Sequence, residues 1–128
     1  MRLLLDTHVL LWVFDGSPRL GRATRGVITD PRNTVYVSVV SLWEIAVKAR
    51  IGKLQIDLTR LIELLAPSNF LLLDLRPSHL MHLLPLPVFS DHRDPFDHLL
   101  IAQAQAEALV LVSSEAAARR YPVALRAA

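Results

Sequence analysis

Short apolar runs recur along the chain without internal alternation, and segments of helical character separate them. Arg2-Leu3-Leu4-Leu5 is the first, readable as a strand buried on both faces. From Thr7 to Phe14 the apolar residues continue without a turn signal, which predicts a helix closed by the turn Asp15-Gly16-Ser17-Pro18. A polar, arginine-bearing helix is expected from about Pro18 to Thr29, ended by Asp30-Pro31. Val35 to Val39, rich in β-branched and aromatic residues, predicts a second strand. A helix follows over Ser41 to Arg50, with Gly52 as its stop signal. An amphipathic helix at 59–65, a strand at 70–75 and a short helix at 78–84 come next. The proline-rich stretch from Pro85 to Ser90, with His92-Arg93, makes a loop. Asp94 to Ala108 is the best helix in the chain and leads into a strand at 109–112. A short helix near 115–120 and a last strand near 123–125 complete the series.

Strands that alternate with helices, and are apolar throughout, imply a parallel sheet covered on both faces. The expected fold is therefore a three-layer α/β domain, with a short parallel sheet flanked by helices. Ala102, Ala104, Ala106 and Ala108 supply small residues that let the long helix sit close on the sheet. No repeat or low-complexity segment interrupts the 128 residues, and the whole chain, 1–128, reads as a single domain.

Hydrophobic residues make up 52% of the chain and mean hydropathy is +0.36, high for so small a domain. Two readings stay open: an apolar surface covered by a partner or a second copy, or a core rich in leucine and alanine. With no cysteine, disulfides and thiolate metal sites are excluded, in keeping with a reducing cytoplasm. The amino-terminal apolar run carries only Arg2 and is interrupted by Asp6 and His8, so it does not read as a secretory signal. No stretch approaches the roughly 20 apolar residues that cross a bilayer. A soluble, cytoplasmic protein without a membrane partner is expected. The balance of 14 basic against 12 acidic residues says little about nucleic acid. Three basic groups stand out: Arg19, Arg22 and Arg25 at helical spacing, Lys48 with Arg50 and Lys53, and Arg119 with Arg120.

The carboxylates say more. In an open parallel sheet, ligands bind beyond the carboxyl ends of the strands. Asp6 directly follows the first strand, Glu44 lies early in the helix after the second, and Glu115 comes three residues after Val112. Asp94 and Asp97 open the long helix, and they reach the same edge if that helix packs antiparallel to the strand it feeds. Carboxylates gathered so closely repel one another unless a cation neutralises them. All-oxygen ligation suits Mg²⁺ or Mn²⁺, and the matching chemistry is phosphodiester hydrolysis with metal-activated water. Each acid also has a plainer reading. Asp6 caps the helix at Thr7; Glu44 pairs with Lys48 at i,i+4; Asp94 before Pro95 is a cap; Asp97 and Glu115 serve helix termini.

Leu-Leu-Leu-Asp-Thr-His-Val-Leu-Leu-Trp at the start, Val-Ser-Val-Val-Ser-Leu-Trp-Glu-Ile-Ala-Val-Lys in the middle, and His-Arg-Asp-Pro-Phe-Asp-His-Leu-Leu-Ile-Ala-Gln-Ala near the end together resemble PIN-domain ribonucleases. The branch most similar is the VapC-type toxins of bacterial toxin–antitoxin pairs. The resemblance spans essentially the whole chain. It implies a metal-dependent endoribonuclease in which Asp6, Glu44 and Asp97 hold Mg²⁺ or Mn²⁺, with Asp94 as a further acid. The fourth family acid is usually Asp after Leu-Val-Thr-x; here Ser113 stands for the Thr and Glu115 for the Asp. Thr7 and Ser113 match small hydroxyls that orient the acids. A homodimer and a cognate antitoxin protein are also implied, with RNA as substrate.

Rival chemistries fit less well. A phosphatase of the haloacid-dehalogenase kind needs a second Asp two positions after the first, where His8 stands. A phosphorylated receiver needs a late Lys, and the last Lys is Lys53. Zinc at His79 and His82, or at His92 and His98, lacks further ligands. Serine elbows and glycine-rich nucleotide loops are missing. A degenerate PIN-like domain that binds RNA or a partner without cutting remains, favoured only by Glu115.

Overall fold

Leu3, Leu4 and Leu5 have no solvent exposure at all, because the strand that carries them lies in the middle of the sheet. In the computed structural model, which describes residues 1–128, five strands pair in parallel in the order β3-β2-β1-β4-β5. They are β1 (Arg2–Leu5), β2 (Thr34–Ser38), β3 (Phe70–Leu73), β4 (Val110–Ser113) and β5 (Leu125–Ala127). Leu3 sits opposite Val35 on one side and Val110 on the other, and Leu5 opposite Val37 and Val112.

Helices cover both faces: α1 (Thr7–Asp15), α2 (Arg22–Thr29), α3 (Val39–Arg50), α4 (Leu58–Leu65), α5 (Pro77–Leu83) and α6 (Pro95–Ala106). Successive strand residues point to opposite faces, and the core divides accordingly. Leu3, Leu5, Val35 and Val37 pack with Val9 and Leu10 of α1, Ile28 of α2, Ile45 of α3 and Leu61 of α4. Leu4, Leu73 and Leu111 pack with Leu99, Leu100, Ala102 and Ala104 of α6. The three-layer α/β architecture expected from the sequence is what forms. Each fully buried leucine contributes about 1.5–3 kcal/mol by leaving water.

Element ends follow local chemistry. Gly16 closes α1 at φ 64°, where its N–H reaches the Trp12 carbonyl. Three expectations shift. The second helix begins at Arg22 rather than Pro18, since Leu20 N–H closes a turn on the Ser17 carbonyl (3.3 Å) and Gly21 takes the cap position. The third begins at Val39, two residues early, because the Ser38 hydroxyl accepts the Val40 N–H at 3.0 Å. The last strand falls at 125–127, where Leu125 lies opposite Leu111. The segment at Ala116–Arg120 is a 3₁₀ turn.

Candidate active site

All five strands point the same way, so every loop after a strand opens on one edge. Asp6 is fixed there first: its N–H donates to the Val112 carbonyl at 2.9 Å, continuing the β1–β4 ladder for one residue. Its carboxylate then turns in two directions. Oδ1 accepts the Val9 N–H at 2.8 Å and caps α1, while Oδ2 accepts the Ser114 N–H at 2.8 Å and lies 3.3 Å from the Ser114 hydroxyl. Capping and siting thus coexist in one side chain.

Glu44 lies on the second turn of α3 and is 1% exposed. The Thr7 hydroxyl donates to its Oε1 at 2.6 Å, with the Ser41 hydroxyl 3.1 Å from that of Thr7. Lys48, one turn on, donates to Oε2 at 2.5 Å. The Lys48 pKa is raised, first by this bond to Glu44 and further by Asp94 and Asp97. Its ammonium is the chain's own counter-charge to the acidic edge.

Asp97 belongs to the first turn of α6, and Asp94 caps that helix through the Phe96 N–H at 2.9 Å. Burial pushes the Asp97 pKa up to about 6, helped by the negative charges of Asp94, Glu44 and Glu115 and opposed by a hydrogen bond from His92. Glu115, just past β4, is tied through its backbone: its N–H donates to the Ser113 hydroxyl at 2.9 Å. Its side chain meets only His8, at 3.9 Å.

One pocket gathers much of this. Asp6, Asp97, Ser113 and Glu115 line it with His92, over a floor of Leu100, Ile101 and Leu111. Glu44 stands outside the lining, bonded to Thr7, the residue that follows Asp6 in the chain. Asp94 is occupied as a cap. The oxygen-only donors are of the kind a hard divalent cation prefers, and burial together with the neighbouring acids disfavours the charged form of Asp97. No three acidic or histidine side chains close to the spacing of a finished metal site.

Two residues of the site have roles that the sequence does not show: His92, weighed only as a zinc ligand, and Ser114. His92 is buried, with Nε2 3.2 Å from Asp97 Oδ2 and Nδ1 2.8 Å from the Tyr121 hydroxyl. The neutral ring with its proton on Nε2 satisfies both, donating to Asp97 and accepting from Tyr121. His92 sits in a loop, where no periodicity marks a buried position; its place five residues before Asp97 is the only hint. Ser114 holds Asp6 through its backbone N–H, which the side-chain pattern does not encode. The zinc candidates are otherwise engaged: His79 Nε2 meets Glu107 at 2.9 Å, His82 Nδ1 meets Gln105 at 3.0 Å, and of the other pair His92 holds Asp97 while His98 Nε2 meets the His92 carbonyl at 2.8 Å.

Compared with known proteins, the family model for the PIN domain matches residues 3–124. No curated protein matches the chain significantly. Among solved structures, the chain is similar to VapBC2 from Rickettsia felis bound to a DNA fragment from their promoter. That match has 17% identity and a TM-score of 0.75, covering 99% of this chain and 98% of that one. VapBC-1 from nontypeable Haemophilus influenzae gives 14% identity and a TM-score of 0.69 over the same shares. A toxin–antitoxin complex from Klebsiella pneumoniae gives 18% and 0.57, covering 88% of this chain and 86% of that one.

Proposed function

The chain belongs to the PIN-domain family, and from that premise we propose that it is a Mg²⁺- or Mn²⁺-dependent endoribonuclease, the toxin of a type II toxin–antitoxin pair. The observation that carries this reading is the pocket in which Asp6, Asp97 and Glu115, from three separate stretches of chain, face one another at the carboxyl edge. Its likeness in fold to VapBC complexes supports the toxin role.

A divalent ion held by Asp6, Asp97 and Glu115, with Glu44 behind Thr7, would lower the pKa of water and screen the charge of the phosphodiester. The residues of the chain do the rest. Asp6, locked by Val9 and Ser114, sets the position from which the other acids are measured. Asp97 is mostly ionised above pH 6 and turned by His92. Ser113 fixes the backbone before Glu115. Lys48 neutralises Glu44 until a cation arrives. With water rather than the ribose 2′-hydroxyl as nucleophile, the products carry a 5′-phosphate and a 3′-hydroxyl.

An antitoxin protein and a second copy of the chain are the partners proposed, in the cytoplasm where RNA is met. Exposed Trp43, Met81, Leu84 and Val88 give such partners apolar surface to cover. No helix is long and apolar enough to cross a membrane.

The test is incubation of the purified chain with a broad RNA panel and Mn²⁺ or Mg²⁺. Cleavage that EDTA stops, leaving 5′-phosphate ends, is expected. A 2′,3′-cyclic phosphate product overturns the mechanism. Binding without any cleavage across the panel makes the chain a PIN-like binding domain instead.

A further inference from the structure

The first helix forms a ridge between two clefts that both reach the acidic edge. His8 and Trp12, four residues apart, share its outer face, their rings 6.3 Å apart and inclined by 33°. The His8 side chain is about half exposed, at 49%, and Trp12 is half-buried. On one flank, Thr7, His8, Lys48 and Lys53 line a cleft against the loop after α3. On the other, Trp12, Arg19, Ser114, Glu115 and Arg119 line a second.

The clefts adjoin the acidic edge in different ways. The first holds Thr7, the residue after Asp6, and Lys48, both bonded to Glu44. The second shares Ser113 and Glu115, which also line the pocket itself. Lys53, Arg19 and Arg119 are exposed and enter no ion pair. All three basic groups evident in the sequence thus send a cation to a flank of the ridge, Lys53 to one and Arg19 and Arg119 to the other. Aromatic faces between cationic grooves are what a single-stranded nucleic acid requires: bases stack on the rings while phosphates follow the charges. A duplex, whose bases are already stacked, gains nothing from the ridge.

We propose that α1 is a stacking ridge for single-stranded RNA, with the phosphates on either side of the reacting one seated beside Lys53 and beside Arg19 and Arg119. This deepens the ribonuclease reading and rests on it for the identity of the nucleic acid.

The experiment measures binding of a short single-stranded RNA of mixed sequence to the full chain in EDTA, at several salt concentrations, so that cleavage plays no part. Lys53→Gln and Arg119→Gln are each expected to weaken binding about three- to tenfold and to lower the slope of log K against log salt by about 0.7. Arg32→Gln makes the same charge change at the opposite end of the strands and is expected to shift affinity by less than about 1.5-fold at 0.1 M salt, where screening acts over about 10 Å. In a Trp43→Phe background, RNA is expected to quench the fluorescence of Trp12. If both cleft variants bind like Arg32→Gln, if Trp12 fluorescence does not respond, or if duplex RNA of the same sequence binds equally well, the ridge proposal is overturned. The two readings separate cleanly. A chain that binds in this way yet never cuts RNA with Mn²⁺ keeps the ridge and loses the ribonuclease. A chain that cuts RNA while the cleft variants bind normally keeps the ribonuclease and loses the ridge.

Discussion

The two walls of the acidic edge are built in opposite ways. On the β1–α3 wall, Asp6 and Glu44 are 4% and 1% exposed and fully engaged. Asp6 takes the Val9 and Ser114 amides, and Glu44 takes Thr7 and Lys48. On the α6–β4 wall, the side chains of Asp97 and Glu115 are 20% and 42% exposed. Asp97 has one donor, His92, set against three neighbouring acids. Donors supplied by the fold hold the first wall in one geometry. The second carries uncompensated negative charge, which a bound cation is proposed to neutralise.

The largest effect is expected where a residue serves fold and chemistry together. Asp6→Asn puts an amide N–H₂ against either the Ser114 or the Val9 N–H, whichever way it turns. Loss of one buried acceptor costs about 1–3 kcal/mol. Activity on RNA is expected to fall by more than about 100-fold, beyond what loss of a supporting residue costs. Both are checked on one preparation, by urea unfolding and by RNA cleavage. Wild-type stability in this variant would show that the Asp6 wall is not pre-built.

Next comes His92→Ala, which strips Asp97 of its only donor and frees Tyr121. Mn²⁺ affinity, measured by calorimetry, is expected to drop about 10- to 100-fold. His92→Gln, which still donates a hydrogen bond, should recover part of it.

Most of the architecture was legible in the sequence. Strands such as Leu3-Leu4-Leu5 and Val110-Leu111-Val112 are buried on both faces, and an unbroken apolar run is the signature of that environment. The misplaced boundaries lay where side-chain or turn hydrogen bonds decide the matter, at Ser38 and at Ser17–Gly21. In the candidate site, Asp6 and Glu115 were legible because they follow strand ends, and Asp97 because the helix it opens runs back antiparallel to the strand it feeds. What was hidden is how one residue answers another. Asp6 and Asp94 cap helices as the plainer readings allow, and Glu44 does pair with Lys48. Neither role prevents Asp6 from facing Asp97. His92 escaped because its contacts, to Asp97 and Tyr121, depend on a loop path that no periodicity records.

A smaller effect, of opposite sign to that at Asp6, is expected in Asp97→Asn. The carboxyl keeps its proton up to about pH 6 when folded, against a reference value of 3.8. The folded chain therefore binds more protons between these values, and stability falls as pH rises through that window. Two units correspond to at most about 3 kcal/mol, and partial exposure and the His92 bond reduce the net effect to about 1–2 kcal/mol. Without divalent cations, Asp97→Asn should be more stable than wild type at pH 7 and no different at pH 3.5. Mn²⁺ should raise the melting temperature of wild type and not of the variant. A variant less stable than wild type at pH 7 would mean that the second wall stores no repulsion.

The smallest effect is expected at Glu115, and it sharpens the contrast most directly. Glu115→Asp withdraws a carboxylate by one methylene from a place where its side chain meets only His8 at 3.9 Å. The backbone anchor to Ser113 is untouched, and neighbouring rotamers are free to follow, so cleavage should change by no more than about threefold. The matching one-methylene change, Asp6→Glu, drives a longer side chain into a space closed by two amide donors and should cost as much as Asp6→Asn. Equal losses at the two positions would mean that the walls are equally rigid. Unequal losses, large at Asp6 and slight at Glu115, are what a fixed wall facing an adaptable one requires.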